Sequence, residues 1–264
     1  MIIWEVKRKE KMNNLIDFHI HIDHFKDYLK VYNWFDENNI YALFVTNLPG
    51  IYERCLSTFS DSKYVKFALG FNPQLAGEEK FDKRLFNKYL YTTKYIGEVG
   101  LDFSKNYISH KNLQIEIFDY ICKKSTGTNK ILSIHSRNAE EEVLEILRNN
   151  DIRFAVFHWY TGDLNLIDKI VEEGYYFSVN SSMLRNEKGR KTINRIPIER
   201  MLIETDAPYG KFNNKQVLPK DLDDIYNCFE NLLGIKDFRK IIFNNLRTLL
   251  KIQDDKQNKG NNII

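Results

Sequence analysis

The stretch Leu15–Phe25, LIDFHIHIDHF, alternates with a period of two. On an extended chain Leu15, Asp17, His19, His21 and Asp23 fall on one side, and Ile16, Phe18, Ile20 and Ile22 on the other. One face is apolar throughout, while the other carries two imidazoles and two carboxylates. An isolated His-x-His pair is more often a hydrogen-bonded structural pair than a metal site. The meaning of this strand therefore depends on what the rest of the chain brings to it.

Seven more short apolar, β-rich runs follow: Tyr41–Asn47, Val65–Phe71, Tyr95–Val99, Ile131–His135, Phe154–His158, Tyr176–Asn180 and Met201–Thr205. Between them lie helical patterns such as Asn112–Lys124, Ala139–Asn149 and Leu164–Glu173. Strand–helix alternation implies parallel pairing through right-handed crossovers. The residues closing the runs are His21, Thr46, Asn72, Glu98, His135, His158, Asn180 and Asp206, spaced by 25, 26, 26, 37, 23, 22 and 26 residues. That is one βα unit per step, with one longer excursion after Glu98. The expected fold is a single-domain (β/α)8 barrel of the TIM type. A doubly wound sheet is disfavoured, because no G-x-G-x-x-G follows the first strand and no G-x-x-x-x-G-K-[ST] occurs. In a barrel Ile16, Phe18, Ile20 and Ile22 pack outward under the helices. Asp17, His19 and His21 point inward, with the histidines at the C-terminal mouth, where barrel enzymes keep their active sites.

The chain has 264 residues, 43% hydrophobic and 28% charged, with a net charge of +3. It is long enough to bury a large core, and the charge is too small to imply nucleic acid by itself. Cys55, Cys122 and Cys228 are odd in number and form no Cys-x-x-Cys, which argues for a reducing compartment and a cytoplasmic location. No apolar run reaches the length of a membrane span, and the charged start MIIWEVKRKEKMNN has no secretory h-region. The expected division is an extension over residues 1–12, a barrel domain over 13–252 and a polar, frayed tail over 253–264.

If the barrel forms, His19, His21, Glu98, His135, His158 and Asp206 meet at one mouth. Singly, each has a plain explanation as a satisfied core histidine, a strand end or a turn former. Together they would be expensive to desolvate without a counter-charge. Divalent metal ions remove that cost, and mixed imidazole and carboxylate ligands suit Zn²⁺, Mn²⁺ or Mg²⁺, with two sites sharing a bridging acid.

The ordered set IDFHIHID, GEVGLD, IHSRNA, FHWYTG and ETDAP, running from Ile16 to Pro208, resembles the TatD-like metal-dependent deoxyribonucleases of the wider metallo-hydrolase barrels. The resemblance implies a hydrolase that uses two divalent metal ions on DNA. His19, His21 and Asp206 would bind the first ion, His135 and His158 the second, and Glu98 would bridge both. Asp206 would also accept a proton from the attacking water. Asp17 either orients a ligand from behind or is a polar residue deep in the barrel layer. Arg137 is a candidate phosphate clamp, and Trp159 and Tyr160 are candidate base-stacking residues. Asn180 and Ser181 are expected near the mouth. His24 and His110 are expected as exposed residues without a role, and Glu204 as structural and pointing away from the mouth.

Three departures from the family pattern fall around the mouth. Asn72 stands where the family has a histidine, and it is a candidate substrate contact. The loop after ETDAP reads YGKFNNKQVLPKDL. GLDF, with Asp102 and Phe103, replaces GLDY. The expected activity is exonuclease-like cleavage of DNA, on single strands or ends. Two alternatives remain: a small-molecule metallo-hydrolase on the same centre, and a subunit of a multi-protein assembly such as an anti-phage defence system.

Overall fold

A computed structural model describes residues 14–260. The expected extension over residues 1–12 lies outside them. Eight parallel strands alternate with helices: β1 (Ile16–Ile20), β2 (Tyr41–Val45), β3 (Val65–Ala68), β4 (Tyr95–Gly100), β5 (Ile131–His135), β6 (Phe154–His158), β7 (Tyr176–Val179) and β8 (Met201–Ile203). The intervening helices are α1 (Tyr28–Glu37), α2 (Pro49–Thr58), α3 (Lys83–Tyr89), α4 (Lys111–Ser125), α5 (Glu140–Asn149), α6 (Leu164–Glu172) and α7 (Glu187–Arg195). After β8 come a short antiparallel hairpin, β9 (Lys211–Phe212) with β10 (Lys215–Gln216), and the helices α8 (Leu222–Leu233) and α9 (Phe238–Gly260). The sequence reading did not anticipate the hairpin, whose Asn213–Asn214 turn takes positive φ at both residues.

Continuous ladders run β1-β2-β3 and β4-β5-β6-β7-β8, all parallel. Two seams join them into the expected (β/α)8 barrel. At the β3–β4 seam Leu69 N donates to Tyr95 O and Gly97 N to Leu69 O, at 3.1 and 3.0 Å. At the β8–β1 seam Asp206 N donates to His19 O and His21 N to Ala207 O, both at 2.9 Å. A buried side chain reinforces this second seam: Asp17 accepts from Thr205 N at 2.9 Å and from Thr205 Oγ1 at 2.6 Å. Tyr226 of α8 closes the foot of β1, with its hydroxyl accepting from Ile16 N and donating to Ile16 O.

The core lies in two shells, as the alternation in β1 requires. Ile16, Phe18 and Ile20 are fully buried toward the helices, and the inward positions Asp17 and His19 are equally buried inside the barrel. Gly100 sits at φ +137°, and a Cβ there would lie 1.9 Å from His135 O on the paired strand. The second glycine of GEVG therefore lets β5 approach β4 and sets where His135 stands.

The expected frayed tail is corrected over residues 253–260, and residues 261–264 lie outside the described ones. Helix α9 runs through Gly260, and Phe238, Ile242, Leu246, Leu249 and Gln253 are buried along it at helical spacing. Gln253 Nε2 donates to Lys94 O and Asn129 O, which anchors the helix beneath β4 and β5. Polarity alone misled here, because an amide with two buried carbonyl partners belongs to the core. Among the described residues no helix is long and apolar enough to cross a membrane.

Candidate metal centre

All six polar residues that close the ligand-bearing strands meet inside the mouth. His19 and His21 come from the end of β1, and their Nε2 atoms lie 3.2 Å apart. Asp206 Oδ1 reaches them from the β8 side, at 3.7 Å from His19 Nε2 and 3.4 Å from His21 Nε2. Glu98 stands between two groups. Its Oε2 faces His21 Nε2 at 3.6 Å, and its Oε1 faces His135 Nδ1 at 2.7 Å and His158 Nε2 at 3.0 Å. The rings of His19 and His158 stack at 3.9 Å between centroids, 13° from parallel. Within this set two groups have the spacing of metal donors, His19–His21–Glu98 and Glu98–His135–His158.

The donor chemistry fits divalent ions. Asp206 Oδ1 is buried without a hydrogen-bond partner and is aimed at two imidazole nitrogens. An orphaned buried carboxylate oxygen is costly unless a cation meets it. In two of the four histidines the ring nitrogen turned away from the centre is hydrogen-bonded: His19 Nδ1 meets Ser133 Oγ at 2.8 Å and His135 Nε2 meets Asp102 Oδ2 at 2.9 Å. His158 Nδ1 makes no hydrogen bond but faces the carboxylate of Glu204, with Oε1 at 3.5 Å. Partners in that position fix the tautomer and aim the lone pair of a metal-ligating histidine.

Charge balance within the cluster shifts its titrations. Burial opposes ionisation of Glu98, but hydrogen bonds and charge from His135 and His158 override it and hold the carboxyl well below its usual range. Burial disfavours the charged form of His158, but Glu204 and Glu98 outweigh it and leave the ring well above the ordinary imidazole value. His135 is raised, against burial, by Asp102 and Glu98. His19 goes the other way: burial, then the neighbouring His158, holds it well below. Burial pushes Asp17 up to about 7, with the Thr205 bonds opposing.

Two supporting residues were missed by sequence reasoning, and one expectation is overturned. Ser133 and Asp102 each hold an imidazole. Ser133 lies two residues before His135 on the same strand face, so the period-two rule already contained it. Glu204 does not point away from the mouth. It is completely buried and faces His158, and it accepts from Trp159 N, Ser178 Oγ and Asn180 Nδ2. It lies two residues from Asp206, and alternation places it on the inner side.

The softer candidates divide. Tyr160 is buried between Phe157 and Phe177 and donates to Asp163 O, so it presents no face to a base, a correction to its stacking role. Trp159 is half-buried at φ +39°. Asn72 donates to Glu98 Oε2 at 2.7 Å and to Asn47 Oδ1 at 3.1 Å, and its own Oδ1 accepts from Gln74 N. It is thus engaged with the cluster's central carboxylate. Asp17 binds backbone and Thr205 rather than an imidazole. Arg137 is exposed just beyond β5. Asn180 is buried against Glu204, and Ser181 donates to Lys211 O. His24 is exposed at the rim, bonded to Asn47 and near Tyr209, and His110 is exposed at the start of α4.

Comparison with known proteins places this arrangement. The family model described as TatD related DNase matches residues 16–251. A "Deoxyribonuclease Tat-D" of Schizosaccharomyces pombe is 33% identical over 116 residues, 43% of this chain and 37% of that protein. The chain thus matches well under half the length of that relative. An "Uncharacterized metal-dependent hydrolase" of Buchnera aphidicola subsp. Baizongia pistaciae is 29% identical over 209 residues, 74% of this chain and 78% of its own length. In three dimensions the fold is shared with a TatD homologue from Escherichia coli K12, at a TM-score of 0.80 and 21% identity over 90% of this chain and 98% of that one.

Proposed function

We propose a function from one premise: the chain belongs to the TatD-related DNase family. We infer that it hydrolyses DNA phosphodiesters with two divalent metal ions, acting on single strands or ends. The observation that carries this reading is Glu98, whose two oxygens face two separate histidine sets, beside the unpartnered Asp206 Oδ1. His19, His21 and Asp206 would hold one ion, His135 and His158 the other, and Glu98 both. When bound, such a pair neutralises a phosphodiester and makes a water acidic enough to attack at neutral pH. The chain's own residues do the rest. Asp206, at the β8 end of the mouth, accepts the proton of the attacking water. Ser133, Asp102 and Glu204 hold the imidazoles in one orientation, so no reorganisation is needed during the reaction.

Charge on the loops supports DNA over a small neutral ester. Arg137 follows β5, Arg185 and Lys188 follow β7, and Lys211 and Lys215 lie on the hairpin after β8. All five are exposed in the segments that follow the C-terminal ends of β5, β7 and β8. They offer a polyanion a basic flank without making the whole surface basic, which suits short or end-bound substrates.

The test is cleavage of a labelled single-stranded oligonucleotide by metal-stripped protein given Mg²⁺, Mn²⁺ or Zn²⁺, beside Glu98→Ala. Metal-dependent cleavage that vanishes in Glu98→Ala is expected. Metal uptake without cleavage, together with turnover of a small chromogenic ester, would move the substrate assignment to a small molecule.

A further inference from the structure

The loop after ETDAP, one of the three departures from the family pattern, opens with Tyr209. A single exposed aromatic needs no explanation in itself. Tyr209 differs from the other exposed tyrosines in what its ring meets. Tyr28 lies against Phe59, and Tyr91 lies near Lys130. Tyr209 is 50% exposed, and its ring stands 5.1 Å from that of His21 between centroids, at 86° in plane. It stands 5.2 Å from the ring of His24, at 59°. Neither contact is face to face, so the exposed side of the ring is not covered by a stacked neighbour. His21 Nε2 faces Glu98 and Asp206. A strand whose phosphate lies at the metal centre therefore passes Tyr209 within the reach of one nucleotide.

The ring is held at both ends. Tyr209 N and Gly210 N donate to Asp206 O, at 2.7 and 3.0 Å, in a turn that starts on Asp206 at φ +49°. A Cβ on Gly210 would lie 2.3 Å from Thr205 O, so the turn requires glycine there. The turn thus ties Tyr209 to the backbone of a residue of the centre. At the far end the hydroxyl lies 3.2 Å from both ring nitrogens of His24. His24 Nε2 meets Asn47 Nδ2 at 2.8 Å, and Asn47 Oδ1 accepts from Asn72 Nδ2, which also donates to Glu98 Oε2. A chain of amides therefore fixes His24, and through it the tyrosine, relative to Glu98. An aromatic ring held in place before binding loses little freedom when a base lands on it.

We propose that Tyr209 is the stacking platform of the substrate site and takes a nucleobase next to the scissile phosphate. The proposal rests on the nuclease reading and deepens it. It gives Tyr209 the role that burial denies Tyr160. Stacking tolerates any base, because every base has a π-face, and it selects unpaired bases, because those inside a duplex already stack on one another. Lys211 and Lys215 follow on the same loop, so one segment meets both base and backbone.

Steady-state cleavage by the metal-loaded protein of two oligonucleotides of equal length, oligothymidylate and a strand of tetrahydrofuran abasic residues, tests it. Tyr209→Ala should raise KM for oligothymidylate by about tenfold, the scale of one lost base–aromatic contact, with kcat and metal content unchanged. The unsubstituted protein should prefer oligothymidylate to the abasic strand by a similar factor, and Tyr209→Ala should erase that preference. Tyr209→Phe keeps the ring and should stay within about threefold of the unsubstituted protein. Tyr209→Trp supplies a readout without turnover: phosphorothioate-linked oligothymidylate, which resists cleavage, should quench its fluorescence beyond any quenching in the unsubstituted protein, and the abasic counterpart should not. An unchanged KM, a preference kept in Tyr209→Ala, a Tyr209→Phe variant as weak as Tyr209→Ala, or no added quenching in Tyr209→Trp would each overturn the proposal while leaving the nuclease reading in place. If the unsubstituted protein cleaves no oligonucleotide, the nuclease reading fails and the proposal fails with it.

Discussion

The two halves of the mouth hold their histidines differently. Around His135 and His158, a carboxylate stands behind each ring: Asp102 at 2.9 Å and Glu204 at 3.5 Å. Around His19 and His21, the support is a serine hydroxyl behind one ring, while His21 Nδ1, which like His158 Nδ1 makes no hydrogen bond, has no carboxylate paired with it among the described residues. Carboxylate backing makes an imidazole a stronger donor and fixes its angle; a hydroxyl does less of both. The half built on β5 and β6 is thus the more rigid pocket, and the half built on β1 and β8 the more exchangeable one. Glu98 is the shared wall.

Five substitutions test this contrast, from the largest effect to the smallest. Glu98→Ala removes the shared carboxylate. Elemental analysis after dialysis should show metal lost from both halves, and cleavage should fall by about a thousandfold or more. Retention of one ion per chain would mean that Glu98 serves one half only. Glu204→Gln and Asp102→Asn should each weaken one ion by about 10- to 100-fold in competition with a chelator, and leave the other unchanged. If both ions weaken together, the two halves are not independent. Ser133→Ala should weaken the other ion by only about fivefold, the scale of one neutral hydrogen bond. A larger loss than in Glu204→Gln would reverse the ranking. Arg137→Ala touches neither half. It should leave metal content unchanged and raise KM for an oligonucleotide by about tenfold, as a lost charge-assisted contact predicts.

Much of the molecule was legible before any fold. Period-two alternation in Leu15–Phe25 separated the face that packs outward from the face that points in, and the structure buries both as that reading requires. The near-constant spacing of strand-closing residues made eight parallel units the simplest arrangement, and all eight strands form within a few residues of their expected limits. The helix limits are equally close: Lys111–Ser125, Glu140–Asn149 and Leu164–Glu172.

What the reading missed shares one cause. Alternation placed Ser133 and Glu204 on the inner face, but their partners, like that of Asp102, come from other strands, so nothing adjacent in sequence marks what they hold. Tyr160 looked like a stacking residue because it follows a mouth histidine, but the turn after β6 carries its ring back into the core against Phe177. Gln253 looked like tail because it opens a polar run. Its burial comes from the carbonyls of Lys94 and Asn129, more than a hundred residues away.

By itself, then, the sequence determined the periodicities: which residues alternate, how often a strand recurs, and which residue types close each strand. These are local properties, set by backbone geometry and side-chain polarity. The tertiary structure alone decided which oxygen of Glu98 faces which histidine, which ring nitrogens are backed by carboxylate, and that the ring of Tyr209 stands beside those of His21 and His24. Those depend on distances of a few ångströms between elements far apart in the chain, and barrel closure sets such distances only once every strand is in place.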